Sequence, residues 1–272
     1  MIIGFLGKGG SGKTTLATLF IKYLEEQNKN ILAIDNDHNM DLKYNLKHEK
    51  EMKYVGQAMS EVTEAMNIKI STDVLDTNKN YFFQLNPIDN FTEKYSEKLN
   101  NNLRLMVAGP HTEKIMYNLE CSHVLTAPLK LYLPFLKLNE NEFVVIDEKA
   151  GADGVGTGIT TGFNMAIVAC EATPHGVKAA KQIIKMLEFY KTPFVVAINK
   201  INDTTDVESI KKEFDAKLFL EFGFDKSAFD LNLSENYRNE FAKLLEFMKS
   251  VEDDRKKRND ERLRNIVEQR KN

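Results

Sequence analysis

Gly7-Lys8-Gly9-Gly10-Ser11-Gly12-Lys13-Thr14 follows directly on the apolar run Ile2-Ile3-Gly4-Phe5-Leu6. The apolar run predicts a buried strand and the periodicity of residues 14–26 predicts a helix, so the glycine-rich stretch is the turn between them. Glycines let the backbone curl tightly enough for successive N–H groups, and the positive end of the next helix, to point at phosphate oxygens. In the frame Gly-x4-Gly-Lys-Thr, Lys13 is expected to neutralise phosphate charge and the Thr14 hydroxyl to ligate Mg²⁺. Gly9, Gly10, Ser11, Gly12 and Thr15 complete the expected cradle. A merely flexible glycine turn would leave Lys13-Thr14 and the flanking strand and helix unexplained.

Further apolar runs rich in β-branched and aromatic residues occur at 31–35, 103–108, 143–147, 165–170 and 194–199, with a second helical period at 177–190. Near-continuous apolar strands alternating with helices predict an α/β fold, a doubly wound, mostly parallel sheet with helices on both faces. Ligands in such a sheet sit at the carboxyl ends of the strands. Gly7, Asp35 and Asp147 each end or follow a predicted strand. The nucleotide motifs spread over most of the chain, so residues 1–272 are read as a single domain. Residues from about 43 to 102, richer in Asn, Lys and Glu, read as an elaboration holding a short strand at 81–85. The tail at 249–272 carries charges of both signs and only Val251, Leu263, Ile266 and Val267 as apolar residues. It reads as a solvated, fraying continuation of a helix at 236–248 rather than a partner-binding helix.

The chain has 272 residues and a formal net charge of -3, which gives no global basic field for nucleic acid. Its two cysteines, Cys121 and Cys170, make no disulfide framework and suit a reducing compartment. With no cleavable leader and no run near the roughly 20 apolar residues needed to span a bilayer, a cytoplasmic location is expected.

Two acidic clusters fit the phosphate loop. Asp35-Asn36-Asp37-His38-Asn39 ends the second predicted strand, where carboxylates can hold Mg²⁺ through its waters or orient a nucleophile. Val144-Val145-Ile146-Asp147 ends another, and Asp147 is expected to accept hydrogen bonds from Mg²⁺-bound water. Gly151, just beyond, allows a loop that approaches the γ-phosphate and changes shape on hydrolysis. Asn199-Lys200 ends the 194–199 strand, and an amide there can read a purine edge. A guanine reader would want Asp two residues after Lys200, but that residue is Asn202, which favours adenine and hence ATP/ADP. Cys121-Ser122-His123 could supply two ligands to a soft or borderline metal ion, and four across a two-fold axis. Cys170 ends an apolar strand and reads as core.

Lys-Gly-Gly-x-Gly-Lys-Thr, with its early lysine Lys8, resembles the deviant Walker A signature of the MinD/ParA/nitrogenase-iron-protein/arsenite-ATPase group. The resemblance implies an ATP-hydrolysing homodimer in which Lys8 reaches the partner's phosphates. It further implies that Asp37 positions the attacking water, that Asp35 supports the metal from behind, and that Asn199 contacts the base with residues 224–225 closing over it. His38 stands where the group usually has proline. Residues 8–14, 31–39, 103–109, Asp147 with Ala150-Gly151, and Thr173-Pro174 together resemble one branch, the CooC-type ATPases that mature carbon monoxide dehydrogenase. That branch carries a Cys-x-Cys pair where this chain has Cys121-Ser122-His123, which implies an interface site for Ni²⁺ or Zn²⁺ and a metalloenzyme client. A partitioning or positioning ATPase of the ParA/MinD kind, without transition metal, is the competing expectation. Its membrane-binding version is disfavoured by the weakly apolar tail, and DNA binding is not favoured.

Overall fold

The computed structural model describes residues 1–69, 73, 75 and 80–270. Parts of the expected elaboration (70–72, 74 and 76–79) and the end of the tail (271–272) lie outside the described residues. In chain order the strands are β1 (Ile2–Gly7), β2 (Asn30–Asp35), β3 (Phe83–Gln84), β4 (Ser96–Lys98), β5 (Leu103–Val107), β6 (Leu136–Lys137), β7 (Glu142–Asp147), β8 (Met165–Glu171), β9 (Phe194–Ile201) and β10 (Phe219–Gly223). Eight of them form one sheet in the order β10-β9-β8-β1-β7-β2-β5-β4, parallel except for β4, which runs antiparallel along β5. The fold is the expected doubly wound α/β sheet. The short strand expected at 81–85 is only β3, paired with β6 outside the main sheet.

Strands β1, β2 and β7 are buried on both faces because alternate side chains enter different helical layers. Ile3, Phe5, Ala33 and Val145 pack with Phe20 of the Lys13–Glu26 helix and Phe241 of the Glu235–Met248 helix. Ile2, Ile34, Val144 and Ile146 pack on the opposite face with Val62, Tyr132, Phe163 and Leu263. Chain order leaves β1 toward β2 on one side, then crosses from β7 to β8 on the other, so the strand order reverses at β1. The crevice at its carboxyl end is where such sheets hold ligands.

Register assembles the chemistry there. Asp147 pairs across with Phe5 on one side and Asp35 on the other, and Glu171 pairs with Asn199. β10, missed by the apolar-run reading, is an edge strand that alternates buried and half-exposed residues and carries Glu221.

The tail departs from its expected form. The helix Glu235–Met248 stops, and a separate helix, Arg255–Gln269, folds back on the second core layer with Leu263 buried. Arg255 donates from Nη1 to the carbonyls of Leu133 (2.9 Å) and Leu136 (3.2 Å), and Arg258 donates from Nη2 to the Phe163 carbonyl. Buried guanidinium groups hydrogen-bonded to these carbonyls, together with one leucine, dock a helix that looks solvated by composition.

Candidate functional site: the carboxyl edge of the sheet

The loop between β1 and the Lys13–Glu26 helix is braced from outside. Asn199 Nδ2 donates to the Ser11 carbonyl at 2.8 Å, Lys200 Nζ to the Gly10 carbonyl at 2.6 Å, and the Gly151 N–H to the Gly7 carbonyl at 2.8 Å. With these carbonyls engaged, the loop's N–H groups are its ligand-facing polarity. Gly12 sits at φ 90° against Asn199, whose Nδ2 would lie 2.3 Å from any Cβ, so only glycine fits there.

Lys13 turns inward from the first turn of the helix. Its Nζ donates to Asp37 Oδ2 (3.2 Å) and Asp147 Oδ1 (3.4 Å), while the Thr14 hydroxyl donates to Asp147 Oδ2 (2.7 Å). Burial alone would lower the Lys13 pKa, but Asp147 and then Asp37 outweigh it and the net shift is upward. Four carboxylates, those of Asp35, Asp37, Asp147 and Glu148, are buried around this one buried lysine. The imbalance shows in their titration. Burial, with Asp147 adding repulsion, pushes Asp35 up to about 7. Burial pushes Asp147 up to about 6 even against Lys13 and the Thr14 hydroxyl. A cluster with this excess of anionic oxygen, including a hydroxyl and a carboxylate 2.7 Å apart, has the hard donors that suit Mg²⁺.

Asp37 divides its oxygens between the Asn39 N–H (Oδ1, 3.2 Å) and Lys13 (Oδ2), whereas Asp35 gives both of its own to the loop. Asp35 Oδ2 accepts from the Lys43 N–H (2.8 Å) and its Oδ1 from the Asp37 N–H (3.2 Å), so both oxygens shape the 35–43 loop. His38, in place of the usual proline, ties the same loop to the Gly109 carbonyl through Nδ1 at 3.1 Å and packs against the His111 ring. Burial holds its imidazole below the ordinary value.

Glu148 escaped the sequence reading. It is fully buried and pushed up to about 7 by burial. Its Oε2 accepts from Asn36 Nδ2 at 2.9 Å, and its Oε1 has no partner. This bond joins the loop after β2 to the loop after β7. The only sequence signal was a second acid immediately after Asp147. Glu171 was missed as well: it accepts from Lys200 Nζ at 3.1 Å and lies 4.0 Å from Lys8 Nζ. Lys200 thus braces the loop, and Lys8 projects outward with its side chain 45 % exposed.

Beside the loop, Gly12, Thr15, Asn199, Phe224 and Asp225 line one small cavity of about 60 Å³. The amide and the 224–225 segment expected to frame a base are therefore neighbours, with Asn199 Oδ1 left for an incoming donor. At Cys121 and His123, both exposed, Sγ and Nδ1 lie 2.8 Å apart, and no group of three metal-ligating side chains occurs among the described residues. Cys170 is buried in β8, as expected of core.

Residues 2–223 match the CobQ/CobB/MinD/ParA nucleotide binding domain. The chain belongs to that family. Relatives of this MinD/ParA-family chain include an uncharacterized ATP-binding protein of Methanocaldococcus jannaschii, 29% identical over 262 residues and covering 90% of this chain and 96% of its own length. A second from the same organism is 26% identical over 228 residues, covering 78% of this chain and 85% of the relative. Among solved structures, the septum site-determining protein MinD of Pyrococcus horikoshii with Mg-ADP superposes with a TM-score of 0.65 at 16% identity, over 92% of this chain and 96% of that one. A plasmid partition protein from Borrelia burgdorferi bound to AMPPNP gives 0.58 at 19% identity, over 92% and 99%. These likenesses carry the fold. No helix among the described residues is long and apolar enough to cross a membrane.

Proposed function

We propose that this MinD/ParA-family chain is a Mg²⁺-dependent ATPase that works as a nucleotide-controlled homodimer. The convergence of Lys13, Thr14, Asp37 and Asp147 at the end of a glycine loop carries the reading. Thr14 and Asp147 would hold Mg²⁺, which when bound neutralises phosphate charge and polarises the transferred phosphoryl group. Lys13, held between two carboxylates beside the glycine loop, would neutralise the charge that develops on the γ-phosphate. Asp37 would orient water: one of its oxygens faces Lys13 at 3.2 Å while the other accepts from the Asn39 N–H, whereas both oxygens of Asp35 accept from backbone amides. ATP is supported by Asn199 at the small cavity beside Thr15 and by the ATP-binding relatives. Lys8, projecting outward beside Glu171, is available to a partner's phosphates. Four exposed apolar side chains, Met116, Tyr117, Leu119 and Val124, offer a face for the second subunit.

The test is light scattering of the full chain with Mg-ADP and with Mg-AMPPNP, together with phosphate release from ATP. AMPPNP-dependent dimerisation that disappears in Lys8→Ala, with nucleotide binding retained, is the expected result. A monomer under both nucleotides sinks the dimer reading, and no phosphate release at any protein concentration sinks the ATPase reading.

The metallochaperone reading of the CooC type rests on one observation. Cys121 and His123 lie side by side at the surface, and Lys149, two residues after Asp147, donates to the Ser122 carbonyl at 3.3 Å. A two-fold dimer would bring two such pairs to one Ni²⁺ or Zn²⁺. Elemental analysis of the AMPPNP-bound dimer decides it: one metal per dimer, lost in Cys121→Ala, supports metal delivery to a metalloenzyme client. A metal-free dimer leaves the partitioning or positioning reading.

A further inference from the structure

At the amino-terminal ends of β8 and β9, away from the phosphate loop, the docked Arg255–Gln269 helix closes a cleft of about 580 Å³ against Lys130, Gly156 and Tyr190. Lys130, Lys191, Arg258, Arg262 and Arg270 line it; among the described residues Glu261 is the one lining carboxylate, and it is already paired with Lys191 at 2.8 Å. Among the described residues, Lys130, Arg258 and Arg262 have no carboxylate within ion-pairing distance. Arg258 is only 5 % exposed, and its Nε, like that of Arg262, is buried without a hydrogen-bond partner. Arg262 lies over Gly158, where a Cβ would come within 2.9 Å of its Cδ, and its Nη2 donates to Asn259 Oδ1 at 3.0 Å. Burial lowers the pKa of all three groups, and for Lys130 the charges of Arg262 and Lys149 lower it further.

Asp254, Asp253 and Glu261 act on Arg258 from beyond ion-pairing distance, yet burial still outweighs them; converging, partly desolvated cations without a carboxylate in contact are costly unless an anion joins them. At the mouth, Phe189 is 78 % exposed and its ring meets Tyr190 edge-on at 5.1 Å, an apolar platform beside the charge. We infer that this cleft is a second ligand site that binds a small phosphate ester, its phosphate held by Lys130, Arg258 and Arg262 and its apolar or aromatic body resting on Phe189. A phosphate dianion suits three cations better than a single carboxylate, and guanidinium forks match its oxygens. The inference is independent of the proposed ATPase activity.

The experiment is calorimetric titration of the full chain, saturated with Mg-ADP, with phenyl phosphate, inorganic phosphate and benzoate. Phenyl phosphate is expected to bind one per chain and more tightly than inorganic phosphate. The Lys130→Gln/Arg262→Gln double variant should weaken both by about a hundredfold, since two charge-assisted contacts are lost. Neither side chain caps a backbone carbonyl, and thermal melting checks that the variant is folded; each single variant should weaken binding by about tenfold. Phe189→Ala should erase the preference for phenyl phosphate while leaving inorganic phosphate unchanged, and Lys13→Ala should leave both bound. Failure of phenyl phosphate to bind the wild-type chain overturns the inference. So does binding lost in Lys13→Ala but kept in a folded double variant, which would place the anion at the glycine loop. Benzoate binding more tightly than phenyl phosphate overturns the phosphate assignment.

Discussion

Two clefts of opposite polarity hold most of the buried charge in this molecule. At the carboxyl edge of the sheet, one lysine lies among four buried carboxylates. At the amino edge, three basic groups converge with a single, already paired glutamate. The same residue type therefore has opposite energetics in the two places: Lys13 is held protonated by Asp147 and Asp37, whereas Lys130 is pushed toward its neutral form by burial and by Arg262 and Lys149. Excess charge left in a folded interior favours a counter-charge from outside, which the proposals above supply as a divalent cation in one cleft and an anion in the other.

The largest effect that would break this comparison is at Lys13. Lys13→Met should reduce ATP turnover by about 10³-fold, measured as phosphate release under saturating Mg-ATP. It should also lower stability by about 3 kcal/mol in chemical denaturation, because two buried carboxylates lose their partner. In the tail, Leu263→Ala should cost about 2–4 kcal/mol and expose the 255–269 helix to proteolysis, since that leucine is fully buried. Unchanged stability would mean the helix is not docked in solution.

Glu148→Gln comes next, and its sign is opposite. An acid whose folded pKa is raised to about 7 costs nothing below its unfolded pKa, because both states are then protonated. Its penalty grows as pH rises between about 4.5 and 7, where only the unfolded chain ionises, and is constant above. The variant should therefore gain on the order of 3 kcal/mol at pH 8 and lose part of the decline in stability between pH 4.5 and 7. Denaturant titrations at pH 5 and pH 8 read both. The smallest effect is Lys130→Met, expected to raise stability at pH 7 by about 1 kcal/mol or less, by removing an unpaired cation from like charge. A loss of stability there would show that Lys130 has a partner in solution.

The carboxyl-edge cleft was largely legible because its parts are local. A strand, a glycine loop and a lysine–threonine pair are thirteen residues in a row, and Asp35 and Asp147 each end an apolar run. What escaped was pairing between runs. Glu148 gains its meaning only when β7 lies beside β2 and Asn36 reaches it, and Glu171 only when β8 and β9 bring Lys200 to it. The tail was misread for the same reason. Composition placed its many charges in solvent, whereas Arg255 and Arg258 cap carbonyls of Leu133, Leu136 and Phe163, residues about a hundred positions away.

The amino-acid sequence by itself determined the alternation of strand and helix, the doubly wound α/β class and the glycine loop, because hydrophobic period and φ-permissive glycine act over a few neighbouring residues. Only the tertiary structure decided that Lys13 lies between Asp37 and Asp147, that Lys200 braces the glycine loop, and that a charged tail folds back to build a second, basic cleft. Those outcomes depend on desolvation and on partners distant in the chain, and neither is written in local order.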